Sequence, residues 1–470
     1  MQNLEFCSHE LIQAKKSNSG IDLETYKQEN SWRNFQSDYI VKKKKKKFFV
    51  NTIKTVAGLS ILLILSVAVF IVKPLLFDDN DSAQKSVTKA DIPANELKKP
   101  NFISKKELNN IINKTNFIGT DKNIFFVDTP EESYKITTSI DVDLQRFLLS
   151  KMKNLKTLTR GKPQRIAIVV MEADTGKIIA MTGFDLADPD ANPCLESDYP
   201  AASIFKIVTA SAAVEALNYK PGTTLYFNGN KYTLYKRQLK DVKNKYTYKI
   251  SFSRAFAESV NPVFGKIGKN YLGREKLDSF ATAFGFNNAI DFELPFNSGD
   301  FKTNDKEYHL AELGCGFNHD TTISPIFGAM LTSAVVNSGN IMLPSIIEHV
   351  TDSDGTIIYK NKETKYLTAI KPETAAIMTE LMQRTISKGT AKKSFRGASR
   401  DKVLSNLIIG GKTGSLYNRE HIVKYDWFTG FAKDKKTKKS VALSVVVGHR
   451  KYIGTRATSY ANMILKHYFK

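Results

Sequence analysis

Hydrophobic and polar positions divide this chain into stretches of different character. Residues 1–41 are polar with few apolar repeats, which predicts a mostly disordered tail. An uninterrupted apolar run of 18 residues follows at Thr55–Val72. At 1.5 Å per residue it is long enough to cross a bilayer. Residues 78–135 return to Lys, Asn and Asp, with Pro93, Pro100 and Pro130. They read as a linker with one short helix around Ser104–Asn113 and a small pedestal. From about 138 the periodicity changes. Ile166–Met171 and Ile178–Met181 read as a hairpin turning at Asp174-Thr175-Gly176. Ile207, Val208, Ala210, Val214 and Leu217 recur at the spacing of an amphipathic helix. Leu407–Ile409, Asp426–Phe431 and Val441–Val447 read as further strands, and Ala457–Tyr468 as a closing helix. A hairpin, helices, then strands and a last helix predict an α+β domain, an antiparallel sheet flanked by helices. The expected boundaries are a tail at 1–47, an anchor at 48–77, a linker and pedestal at 78–137, and the main domain at 138–470.

Charge orients the anchor. Lys42–Lys47 precede the run, while Asp78, Asp79 and Asp81 follow it. Positive charge stays on the cytoplasmic side, so residues 1–47 are expected inside and the main domain outside the cytoplasmic membrane. The run lies deep in the chain and lacks a small-residue cleavage site, which favours an uncleaved single-pass helix over a signal peptide. Net charge is +22, of which residues 1–47 carry only +4. A basic domain outside a membrane suits anionic lipid or an anionic envelope polymer. Nucleic acid is not expected as a partner, since no aromatic-basic recognition motif for it is visible.

The three cysteines are Cys7, Cys194 and Cys315. Cys194 and Cys315 fall outside, where a disulfide could form. Two small buried thiols are the preferred reading, because the sequence gives no distance between them. The seven histidines are scattered, His319 and His421 reading as loop residues, and no metal-ligand spacing occurs.

The chemistry sits in three short motifs in a fixed order: Ser203-Ile204-Phe205-Lys206, Ser259-Val260-Asn261 and Lys412-Thr413-Gly414-Ser415. Each alone is weak, and S-x-x-K also begins at Ser82, Ser86, Ser150 and Ser399. The ordered set is specific for serine acyl transfer. Ser203 follows the turn-forming Tyr199-Pro200-Ala201-Ala202 and would open a buried helix, where free N–H groups favour developing negative charge. Lys206 lies one turn on, within reach of the hydroxyl. Lys412-Thr413-Gly414 falls in a strand flanked by glycines, open to an added peptide strand.

At these residues the chain resembles the penicillin-binding transpeptidase family. The resemblance extends through Thr138-Ser139-Ile140-Asp141 with Leu144-Gln145, the 166–181 hairpin, and Phe284-Gly285-Phe286 with Asp291. It continues through Gly314-Cys315-Gly316 with Ser324-Pro325, and Gly389-Thr390-Ala391. Two positions depart from the family pattern, Ala202 where Gly is usual and Ile204 where Ser or Thr is usual. Ser415 stands where Thr is more common. The resemblance implies Ser203 as nucleophile, Lys206 as its base, Ser259 as proton relay and Lys412 as cation. It implies that Asn261, Thr413, Gly414 and Ser415 bind substrate, with the N–H groups of Ser203 and Ser415 as oxyanion hole. The implied substrate is a peptidoglycan stem peptide ending in D-Ala-D-Ala, cross-linked to a neighbouring stem, with β-lactams as covalent inhibitors and no cofactor. The alternatives are a D,D-carboxypeptidase, a β-lactamase, or a non-catalytic sensor or scaffold. With too little chain before residue 138 for a glycan-polymerising domain, a separate membrane polymerase is the expected partner.

Overall fold

The computed structural model describes residues 102–470, apart from Lys114 and Glu131. No helix among these is long and apolar enough to cross a membrane. The expected tail, the run Thr55–Val72 and residues 78–101 of the expected linker lie outside the described residues.

Helix α1 (Lys105–Ile112) begins at a reciprocal cap. The Ser104 hydroxyl accepts the Glu107 N–H, and the Glu107 carboxylate takes the Ser104 N–H at 2.7 Å. The hairpin β1 (Ile124–Asp128) and β2 (Ser133–Thr138) follows, then α2 (Val142–Lys156), capped by Asp141. A second hairpin joins β3 (Arg165–Glu172) to β4 (Ile178–Asp185). Strand β5 (Tyr199–Pro200) leads through a 3-10 turn at Ala202–Phe205 into α3 (Lys206–Leu217). Strands β6 (Thr224–Phe227) and β7 (Tyr248–Ser251) bracket a long excursion. Helices α4 (Phe252–Ala257), α5 (Asn261–Lys266), α6 (Gly273–Ala283) and α7 (Glu307–Cys315) come next. They precede β8 (Thr322–Ile323), α8 (Pro325–Val336), β9 (Asn340–Met342), β10 (Ile347–Thr351), β11 (Ile357–Lys360) and β12 (Lys365–Thr368). The chain closes with α9 (Pro372–Ser387), β13 (Leu407–Tyr417), β14 (Lys424–Asp434), β15 (Ser440–His449) and α10 (Ala457–Tyr468).

The main sheet has the order β13-β14-β15-β3-β4 and is antiparallel throughout. Period-2 alternation divides β3 between two cores. Ala167, Val169 and Met171 join the core that contains α3 and α8, while Ile166, Ile168 and Val170 join the core under α2 and α10. Helices therefore cover both faces, as the expected architecture requires. β15 is buried along its whole length, which explains its near-continuous apolar sequence.

Two details differ from the sequence reading. Helix α3, expected amphipathic and buried, is buried on all sides from Lys206 to Val214, because α6, α7 and α9 enclose it. Its alanines keep those neighbours close. The expected boundary at 137/138 cuts through β2, which pairs with β10 in the four-stranded sheet β1-β2-β10-β11. The last residues of the expected pedestal thus share a sheet with a segment 200 positions later, a crossover without local signal.

Candidate active site

The turn carrying Ser203 is fixed from several sides. Ala201 N–H donates to Thr321 O at 2.9 Å, and the Trp427 indole N–H donates to Pro200 O at 3.0 Å. Ala202 takes a left-handed φ of +49°. A side chain there is strained, a feature that clusters at functional sites. Ser203 itself is half-buried at the mouth of the helix.

Lys206 is fully buried, with its Nζ 2.7 Å from Ser203 Oγ. Its other partners are Asn261 Oδ1 at 2.8 Å and the Cys315 carbonyl at 2.6 Å. Neither of these oxygens can donate. A neutral amine fits this set fully: two N–H groups for the two oxygens, and one lone pair for the serine hydroxyl. Burial holds the Lys206 pKa down at about 8. The Cys315 carbonyl ends α7, whose left-handed cap is Gly316 at φ +70°.

Ser259 also adopts a positive φ, +58°, on the turn between α4 and α5. Lys412 Nζ donates to its hydroxyl at 2.9 Å and to Thr413 O at 2.9 Å. Lys412 is fully buried, and burial together with the Lys206 cation pushes it well below an ordinary lysine. No carboxylate pairs with either lysine among the described residues, so the two amines resist carrying two protons at once. Asn261 is aligned from behind, its Nδ2 donating to Tyr232 O at 2.9 Å.

Lys412, Thr413, Gly414 and Ser415 lie on β13, the edge strand of the main sheet. Thr413 is half-buried and Ser415 exposed, so both hydroxyls are open to a ligand. Gly414 lies against the nucleophile's turn: a Cβ there would stand 3.2 Å from Ile204 Cγ1 and 3.4 Å from Ala201 O. The structure thus holds Ser203 and Asn261 on Lys206, and Ser259 on Lys412, by two separate sets of hydrogen bonds, with Thr413–Ser415 following Lys412 on the edge strand.

Two contributions had no signal in residue type, and a third, Thr390, stood in the sequence only as part of Gly389-Thr390-Ala391. The Cys315 and Tyr232 carbonyls are backbone groups, invisible to residue type. Thr390 hydrogen-bonds the Thr413 hydroxyl, and its N–H donates to Ala257 O at 3.1 Å, tying β13 to the Ser259 segment.

Similarity to known proteins supplies the family. The family model for the penicillin-binding protein transpeptidase domain matches residues 166–468. The chain belongs to that family. It is 23% identical over 366 residues to the peptidoglycan D,D-transpeptidase PbpA of Mycolicibacterium smegmatis, covering 69% of this chain and 70% of that one. Among solved structures it resembles the D,D-transpeptidase domain of a peptidoglycan glycosyltransferase from Eggerthella lenta (TM-score 0.56, 22% identity, 71% of this chain and 82% of that one). It also resembles PBPA from Mycobacterium tuberculosis (TM-score 0.56, 21% identity, 71% of this chain and 80% of that one).

Within this penicillin-binding family the two departures acquire physical readings. Ala202 accepts the left-handed backbone that glycine usually takes, at a cost of order 1 kcal/mol or more. Ile204 is fully buried and fills the space that Gly414 leaves, joining the nucleophile's turn to β13 by apolar contact. Cys194 and Cys315 are both free and buried, as two small thiols.

Proposed function

We infer that this chain is a serine D,D-transpeptidase that cross-links peptidoglycan stem peptides through a Ser203 acyl-enzyme. The observation that carries this reading is the Lys206 amine, 2.7 Å from Ser203 Oγ and otherwise facing only acceptors. A free serine hydroxyl needs such a base. In acylation Lys206 takes the Ser203 proton as Oγ attacks the penultimate D-Ala carbonyl. The peptide bond breaks, and the terminal D-Ala amine leaves with a proton passed through Ser259. Lys412 holds Ser259 in place and attracts the terminal carboxylate, which Thr413 and Ser415 bind. One Asn261 N–H remains for a substrate carbonyl. The backbone N–H groups of Ser203 and Ser415 receive the oxyanion, each worth about 3 kcal/mol in such sites. An amine of a neighbouring stem then attacks the ester, forms the cross-link and frees Ser203. A β-lactam follows the same first step and stays attached.

Intact-mass spectrometry after penicillin treatment tests the reading. One adduct is expected, absent in Ser203→Ala, and products from a D-Ala-D-Ala stem peptide should include cross-linked dimer. An adduct that survives Ser203→Ala, or hydrolysis alone, refutes it.

We also propose a single-pass anchor at Thr55–Val72 with the catalytic domain outside the cytoplasmic membrane. Lys42–Lys47 before the run and Asp78, Asp79 and Asp81 after it support this orientation. A separate glycan polymerase is proposed as partner, on the resemblance to monofunctional family members. A reporter active only outside the cytoplasm, fused after residue 90, should be active, and silence there refutes the topology.

A further inference from the structure

Residues 226–249, from the end of β6 into β7, meet the chemistry described above only through backbone carbonyls that hold Asn261. They carry seven Lys and Arg against one acid, Asp241. Asp241 is engaged by Lys266 at 3.0 Å, and Lys231 pairs with Glu258 at 3.1 Å. Lys236, Arg237, Lys240, Lys243, Lys245 and Lys249 are exposed. None of these six forms an ion pair among the described residues. Between them stand four tyrosines with about half or more of their surface open: Tyr232 at 53%, Tyr235 at 52%, Tyr246 at 70% and Tyr248 at 58%.

The rings are not loose. Lys231 lies over Tyr232 at 5.1 Å, Arg237 over Tyr235 at 5.5 Å and Lys245 over Tyr246 at 5.1 Å. Tyr248 stacks on Phe227 at 5.1 Å. Cation–ring contacts of this kind pre-order both partners, which lowers the entropy lost on binding. The buried Gln238 holds the lobe together, donating to Asn228 O and Asn230 O, both at 2.9 Å. The lobe is also fastened to the site. Asn261 N–H donates to Lys231 O at 2.7 Å, and Asn261 Nδ2 donates to the adjacent Tyr232 O at 2.9 Å. The same Asn261 holds Lys206.

We propose that this tyrosine-lysine lobe is a docking surface for an acidic glycopeptide strand, the polymer beyond the stem peptide held at Ser203. The proposal rests on the transpeptidase reading and specifies how that site holds its polymer. Such a strand carries many peptides that each end in a carboxylate, and its sugar rings offer C–H faces. Lysines complement the first and tyrosine rings the second. Membrane-surface elements bury Trp, Phe and Leu instead, and the lobe's exposed aromatics are all Tyr. Its attachment at Asn261 places it beside the Ser203 site.

The test uses the detergent-solubilised full chain and the reversal Lys236→Glu/Arg237→Glu/Lys243→Glu/Lys245→Glu. Retention on purified, insoluble peptidoglycan sacculi at physiological salt should fall at least about tenfold, and raising the salt should weaken the unaltered chain likewise. Penicillin acylation should stay within about twofold, which separates loss of docking from loss of the Ser203 site. If the reversal also loses acylation, Lys243→Gln/Lys245→Gln replaces it, with a threefold or larger loss on sacculi expected. Unchanged sacculus retention overturns the proposal. So does loss of flotation with anionic phospholipid vesicles while sacculus retention persists, which would make the lobe a lipid surface. Failure of the unaltered chain to acylate would instead sink the transpeptidase reading.

Discussion

Gly316 passes beneath Ala202 with no room for a side chain: a Cβ on Gly316 would stand 1.9 Å from the Ala202 carbonyl oxygen. The contact joins the cap of α7 to the turn carrying the nucleophile. Both backbones are left-handed, at +70° and +49°. The same cap follows the Cys315 carbonyl that receives Lys206. One close approach thus sets the spacing of base and nucleophile.

Gly316→Ala should therefore damage the site as well as the fold. Backbone, rather than a flexible side chain, must give way. A stability loss of about 3 kcal/mol is expected from strain plus clash. Shifting Ser203 by a fraction of an ångström should slow acylation at least tenfold. Thermal melting and penicillin labelling check the two effects, and a variant that labels at the normal rate would show that Gly316 does not position Ser203.

Ala202→Gly should act in the opposite sense. It removes a Cβ from a left-handed position, so about 1 kcal/mol of stabilisation is expected, with acylation retained. Denaturant unfolding measures it. A variant destabilised by 1 kcal/mol or more would show that the positive φ carries no strain.

Lys206→Ala should slow acylation by about 10²–10⁴-fold while leaving initial β-lactam binding nearly intact. Stopped-flow labelling separates the two constants. In the unaltered enzyme the rate should rise with pH, half-maximal near 8, because only the neutral amine accepts a proton. Stability should move the same way. Lys206 binds fewer protons folded than unfolded between about 8 and its ordinary 10.5, so its burial cost is fully present below 8 and is relieved as pH rises through that window. An acylation rate that is flat from pH 6 to 9 would assign the base elsewhere.

Cys194 and Cys315 should resist alkylation in the native protein. Burial pushes their thiols up to about 12 and about 11, so the reactive thiolate is scarce as well as covered. Peptide mapping after iodoacetamide should find both unmodified until the protein is unfolded. Rapid native labelling at either would contradict the packing.

The legible part of this protein is the part where chemistry demands a residue type. A nucleophile, an amine base and a cation on an edge strand can be built from few side chains, so Ser203, Lys206 and Lys412 stand out in sequence. Strand β13 and the closing helix, α10, followed from local periodicity. What was not legible depends on distant partners. Helix α3 read as buried and amphipathic, but sequence spacing cannot show that three helices enclose it on all sides. The pairing of β2 with β10 has no local cue. The lobe at 226–249 escaped notice because its lysines and tyrosines match no fixed spacing. The fold, holding Lys231 and Tyr232 against Asn261, gives the cluster a location.

The order of the main sheet has a consequence for how the protein is made. Strands β3 and β4 are synthesised first, yet β3 pairs on its other side with β15, which leaves the ribosome long after them. Until then the apolar faces of that hairpin lack a neighbour and invite chaperones. Lys412 and the edge strand also arrive late, so a nascent chain carries Ser203 without its surroundings. A premature stop before residue 440 yields no smaller version of the sheet, because the missing strand is its centre. The reactive serine is armed only once β13 and β15 have both been made.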